Sequence, residues 1–143
     1  MTITNWIALA AVVITFVTSN VVVARQVRKA KKAKWIDDFR EEISEFLTLS
    51  IAIIHQGEDT KYNTENFLKL DTISIKLSFL LNENDKDQDN LNSMIMNTVE
   101  FILSDEFNIE TAEGQEYFNM RSSIKLQAKS IIKKELKSYN SFF

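Results

Sequence analysis

The spacing of apolar positions divides this chain into two regimes. From Trp6 to Ala24 there are nineteen residues and no charge, so every side of a helix built from them is apolar or neutral. Such a helix is roughly 28 Å long, close to the hydrocarbon thickness of about 30 Å in a bilayer. From Trp35 onward the pattern is amphipathic. Ile36, Phe39, Ile43, Phe46, Leu47, Ser50 and Ile54 recur at helical spacing, with Asp37, Asp38, Arg40, Glu41, Glu42 and Glu45 on the other sides. "GEDTKYN" then reads as a turn opened by Gly57.

Three further amphipathic stretches follow. A helix over 64–81 carries Phe67, Leu70, Ser74, Leu77 and Leu81 on its main stripe, broadened by Ile73 and Leu80. After "NENDKDQD", a helix over 87–104 places Leu91, Ile95, Thr98 and Ile102 on one face, with Met94 and Val99 beside them. "DEFNIETAEG" connects it to a helix over 112–139, with Phe118, Ile124, Ala128, Ile131 and Leu136 facing inward. No strand alternation and no internal repeat is visible. Short connectors favour antiparallel neighbours. The expected fold is therefore all-α, one N-terminal transmembrane helix continuing into a cytosolic bundle of about four helices. Its expected segments are an extracytoplasmic N-terminus and span (1–24), a basic juxtamembrane segment (25–34) and a cytosolic domain (35–143).

Composition strengthens this picture. The chain has no Pro and two Gly, so little interrupts helix formation. It has no Cys, which excludes disulfides and thiolate metal sites. Ten Phe supply more apolar anchors than a disordered chain carries. The net charge of −3 is unevenly spread: residues 1–34 sum to +6, residues 35–120 to −14 and residues 121–143 to +5. Three surroundings are implied rather than one uniform surface.

The first basic block is Arg25, Arg28, Lys29, Lys31, Lys32 and Lys34, directly after the uncharged run. Alone it resembles a nucleic-acid arm. Beside an apolar run it reads as a topological lock at the inner headgroup layer, where each cation gains about 1 kcal/mol against anionic lipid. Cations stay on the cytoplasmic side during insertion, so the N-terminus is expected outside and the remaining chain in the cytoplasm. Trp6 suits the opposite headgroup layer. A cleaved signal peptide is the competing reading, with Val22-Val23-Ala24 as cleavage site. Its cations would precede the apolar run, and here they follow it. A soluble core helix would carry charge on some side.

Within the run, Ala8, Ala11, Thr15, Thr18, Ser19 and Val22 recur every three or four residues, and Asn20 adds an amide. Small and hydroxyl residues let helices approach closely, so this is the expected pore or helix-association face. One helix cannot enclose a pore, so conduction requires a homo-oligomer. The plain alternative is an ordinary anchor whose hydroxyls bond back to their own carbonyls.

Two further clusters bear on chemistry. Asp85, Asp87 and Asp89 alternate as at the start of a calcium loop, but Asn90 stands where Gly is wanted and Met96 where a bidentate Glu is needed. Helix capping by Asn84 or Asp85 is the better reading. Arg121, Lys125, Lys129, Lys133 and Lys137 form a ladder in steps of four, with Lys134 adjacent. This is the candidate nucleic-acid or phosphate site. Anionic lipid, or the acidic helix 37–45 of the same or a neighbouring subunit, would satisfy it equally. Tyr139, Phe142 and Phe143 could stack bases or dock on the core. His55, the sole histidine, reads as a helix-end residue. No phosphate loop, nucleophile elbow or zinc-protease motif occurs, so an enzyme is the least favoured class and no cofactor or metal is expected.

"WIDDFREEISEFL" directly after a span, followed by "KLSFLLNENDKDQDNL", resembles short bacterial proteins with one N-terminal transmembrane helix and a small helical cytosolic domain. Among these it is similar to the membrane effectors of two-gene anti-phage systems of the Hailong type. The likeness covers about residues 35–91, and the basic ladder matches no motif of that family. The resemblance implies an oligomeric ion-conducting effector in the bacterial inner membrane. It implies as partner a nucleotidyltransferase, or its oligonucleotide product as ligand. The partners expected overall are the bilayer, further copies of the chain and that ligand, with no small-molecule substrate. The alternative function is a non-conducting anchor or scaffold whose acidic helical domain docks a cytosolic protein. A structural subunit of a larger membrane complex is a third reading.

Overall fold

The computed structural model describes residues 3–55, 60–104 and 112–140. They form four α-helices and, among the described residues, no strand: α1 (Ile3–His55), α2 (Thr60–Leu80), α3 (Lys86–Leu103) and α4 (Ala112–Asn140). The chain divides into two units, Met1–Lys34 and Trp35–Phe143. Residues 57–59 of the expected turn, 105–111 of the expected connector "DEFNIETAEG", and Phe142 and Phe143 lie outside the described residues, as does the side chain of Ala8.

The second unit is a bundle around one core. Phe39, Ile43, Phe46, Ile53 and Ile54 of α1 meet Leu70, Ile73 and Leu77 of α2, with Leu81 just beyond its end. Leu91, Ile95, Val99 and Ile102 of α3 and Tyr117, Ile124, Ala128 and Ile131 of α4 complete it. Burying each large apolar side chain gains about 1.5–3 kcal/mol, which outweighs the weak local preference of any single helix.

Cross-helix bonds fix the directions. Trp35 Nε1 donates to the Leu80 carbonyl at 2.7 Å, and Lys76 reaches Glu42 at 3.0 Å. The start of this part of α1 thus lies against the end of α2, and the two run antiparallel. Tyr117 bonds Ser50, and Arg121 reaches the Leu47 carbonyl, so α4 is antiparallel to α1. Gln127 donates to the Asp87 carbonyl and Lys134 reaches Asp85, so α4 is antiparallel to α3 as well. The Trp35 ring also stacks on Phe39, with centroids 5.1 Å apart.

Asp85 caps α3, as expected. Its backbone is extended (φ −97°, ψ 112°) and its Oδ1 accepts the Asp87 N–H at 3.0 Å and the Gln88 N–H at 3.4 Å. Gln88 is buried, and its Oε1 accepts the Asn82 N–H at 2.9 Å, which pins the link to α2. The polar members of the core stripes are satisfied locally. Ser74 Oγ donates to the Asp71 carbonyl at 2.7 Å and Thr98 Oγ1 to the Met94 carbonyl at 2.8 Å.

Two expectations need correction. α2 begins at Thr60, so part of "GEDTKYN" is helical. Apolar periodicity gives no signal before Phe67, and nothing after Gly57 breaks a helix. On α4 the inward aromatic is Tyr117, fully buried, whereas Phe118 is 38% exposed. Tyr117 stands seven residues before Ile124 and so shares its face; Phe118 is about 100° away. Smaller differences concern ends: α2 stops at Leu80, α3 runs Lys86–Leu103 and α4 reaches Asn140. Leu136 is half-buried.

Candidate functional site

The N-terminal part of α1 is the one helix, among the described residues, long and apolar enough to cross a membrane. Side chains from Ala10 to Arg28 are exposed on all sides. Val12, Ile14 and Phe16 are each more than 60% exposed, which in water would leave a large unpartnered apolar surface. A helix apolar around its whole circumference needs an apolar surrounding.

Three polar side chains of this segment bond back to their own helix. Thr15 Oγ1 donates to the Ala11 carbonyl at 2.8 Å, Thr18 Oγ1 to the Ile14 carbonyl at 2.8 Å, and Asn20 Nδ2 to the Phe16 carbonyl at 2.9 Å. These donors do not require a second helix. Ala11, Thr15, Thr18, Ser19 and Val22 share one face, but Asn20 does not. At 100° per residue it stands about 150° from the middle of that face, so the expected single polar seam lacks its amide.

The basic block begins at Arg25 on the same helix. Arg28 and Lys31 are exposed, whereas Lys29 and Lys32 are half-buried. Arg25 and Lys34 are exposed too.

The C-terminal ladder is split by its surroundings. Lys134 leaves it: Nζ lies 2.9 Å from Asp85 Oδ2 and 3.1 Å from Asp87 Oδ2. The Lys134 bond holds the Asp85 carboxyl below the usual carboxylate range, helped by the Asp87 and Gln88 N–H groups. In return the two carboxylates raise Lys134. Asp85 and Asp87 thus face an ammonium, and among the described residues no group of three or more acids or histidines is placed to hold a metal ion. Arg121 is half-buried and its Nε lies 3.5 Å from the Leu47 carbonyl. Lys125, Lys129, Lys133 and Lys137 remain exposed, with no carboxylate partner among the described residues. Tyr139 is half-buried, and His55 is the exposed last residue of α1.

The acidic surface of α1 is partly committed within the bundle. Glu42 Oε1 accepts from Lys76 at 3.0 Å. That bond raises the Lys76 ammonium, with Glu45 and Glu41 adding to the field. Glu41 and Glu45 stay exposed and line an open groove with Ser44, Thr48, Leu49 and Ala52 of α1 and residues of α2. The pattern of charges marked an acidic face; the groove needed α2 beside it and had no sequence signal. The buried Ser50–Tyr117 hydrogen bond at 2.9 Å was likewise not legible, although Ser50 on an apolar stripe was a hint.

No protein-family model, curated protein or solved structure matches the chain.

Proposed function

We propose that this chain is a self-assembling membrane effector of the bacterial inner membrane, with its N-terminus outside and residues 35–143 in the cytoplasm. In this reading the assembled spans conduct ions, in anti-phage defence. The cytosolic bundle takes an anionic nucleotide or oligonucleotide on Lys125, Lys129, Lys133 and Lys137. The observation that carries it is the exposed, uncharged helical segment ending in six cations without an acid. That order supports insertion with the cations inside. The four exposed lysines support the ligand, since exposed cations on one helix attract a phosphate backbone through counterion release. Small residues on the Ala11–Val22 face support close approach of spans.

The test is conductance of the purified full chain in planar bilayers, with and without mixed short DNA oligonucleotides. Current that depends on the protein and responds to the oligonucleotides is expected. No current under either condition refutes the channel.

One observation favours a second reading. Because Thr15, Thr18 and Asn20 are satisfied by their own helix, the span serves equally as a plain anchor, and the acidic α1 surface then docks a cytosolic protein. An unrelated span substituted for residues 1–24 preserves function in that case and abolishes it in the first.

A further inference from the structure

Two faces of the bundle are complementary in charge and in relief. On α4, Phe118, Ser122, Lys125 and Lys129 form one outward stripe, with Leu126 beside it, 69% exposed. It is a ridge with an apolar end and a basic end. The groove between α1 and α2 carries Glu41 and Glu45 toward one end and Leu49 and Ala52 toward the other, with Asn66 and Lys69 on its α2 side, where Lys69 is paired with Glu65 at 2.8 Å.

The levels also agree. Arg121 against Leu47 and Tyr117 against Ser50 set α1 and α4 in antiparallel register. Counting along both helices places Glu41 and Glu45 level with about Gln127 and Ser123, so both acids flank the level of Lys125. Phe118 falls level with Ser50, beside Leu49 and Ala52. In a ring whose symmetry axis runs along the bundle, rotation leaves each residue at its own level. The ridge of one copy then meets the groove of the next with Lys125 and Lys129 beside Glu41 and Glu45, and Phe118 beside Leu49 and Ala52.

We infer that the α4 ridge of one copy docks in the α1 groove of a second copy, head to tail, so that the cytosolic bundles form a closed ring. This rests on the self-assembly in the proposed function but not on conduction or ligand. Lys134 is excluded from the contact by its hold on Asp85 and Asp87. A polyanion on Lys125 and Lys129 competes with the neighbour's acids, which couples ligand binding to separation of the bundles.

The chain has no native Cys, so introduced thiols report contacts directly. Full-length Ser44→Cys and Ser122→Cys proteins are mixed in detergent, oxidised and run without reductant, with light scattering for mass. A crosslinked heterodimer is expected that neither protein gives with wild type. Adding Lys125→Glu and Lys129→Glu to the Ser122→Cys protein lowers its yield roughly tenfold, the effect of about 1.4 kcal/mol. Adding Glu41→Lys and Glu45→Lys to the other protein restores it. An oligomer without the crosslink, or with a yield indifferent to charge, overturns the ring interface alone. A monomer by light scattering overturns the self-assembly as well.

Discussion

The Tyr117–Ser50 contact offers the sharpest test of the packing, because its two halves are not equivalent. Both residues are buried, at 0% and 1% exposure, and their oxygens lie 2.9 Å apart. Ser50 Oγ also reaches the Leu47 carbonyl at 3.2 Å, where Arg121 Nε approaches from α4. If Ser50 spends its one proton on Leu47, the Tyr117 hydroxyl is the donor to Ser50. Tyr117→Phe then removes a donor and keeps the ring, for about 1 kcal/mol. Ser50→Ala takes away the acceptor that the Tyr117 hydroxyl has in a dry interior, for about 2 kcal/mol. The double variant replaces both by apolar groups and costs about 1 kcal/mol. The coupling is then roughly −2 kcal/mol, well outside additivity. The assay is guanidinium unfolding of the full chain in micelles, followed by far-UV circular dichroism. Additive costs, or a Ser50→Ala loss smaller than that of Tyr117→Phe, would refute the assigned direction of the bond.

The remaining predictions concern register, charge and topology. Tyr117→Ala should destabilise the bundle by about 3 kcal/mol or more, whereas Phe118→Ser, which removes a partly exposed ring set edge-on to Tyr117, should cost clearly less, about 1 kcal/mol, measured by the same unfolding curves. Asp85 is lowered by Lys134, so its contribution to stability is present above the ordinary carboxylate value and is lost as pH falls through its lower folded value. Lys134→Met should therefore flatten the acid limb of melting temperature against pH; an unchanged limb refutes the linkage. Lys134 is raised by the same pair, so wild type also loses this contribution as pH rises through the elevated lysine value, and the variant should not. For orientation, Thr2→Cys should react with an impermeant maleimide on intact cells and Ser141→Cys only after lysis; the reverse pattern refutes the assigned topology.

Much of the architecture was legible because it follows from one-dimensional patterning. An uncharged run of bilayer length, four amphipathic stretches at helical period and an acidic cap before α3 are all local properties, set by burial and by free N–H groups at a helix start. Helix starts were less legible. α2 gains its first turn ahead of any apolar residue, where periodicity carries no information. The inward aromatic of α4 was misassigned because hydrophobicity favours Phe118 over Tyr117, while register favours Tyr117 and the buried Ser50 hydroxyl gives its oxygen a partner. Only packing could decide how the charges are used. Lys134 sits one residue from Lys133 and has the same chemistry, yet α3 brings two carboxylates to it and none to Lys133. The groove beside Glu41 and Glu45 needs two helices, and its level with Lys125 depends on the antiparallel register of α1 and α4. Sequence determined which surfaces are apolar, acidic or basic. Tertiary structure decided which charges are already paired and which stand exposed at matching heights, because pairing depends on distances between helices that no spacing along the chain encodes.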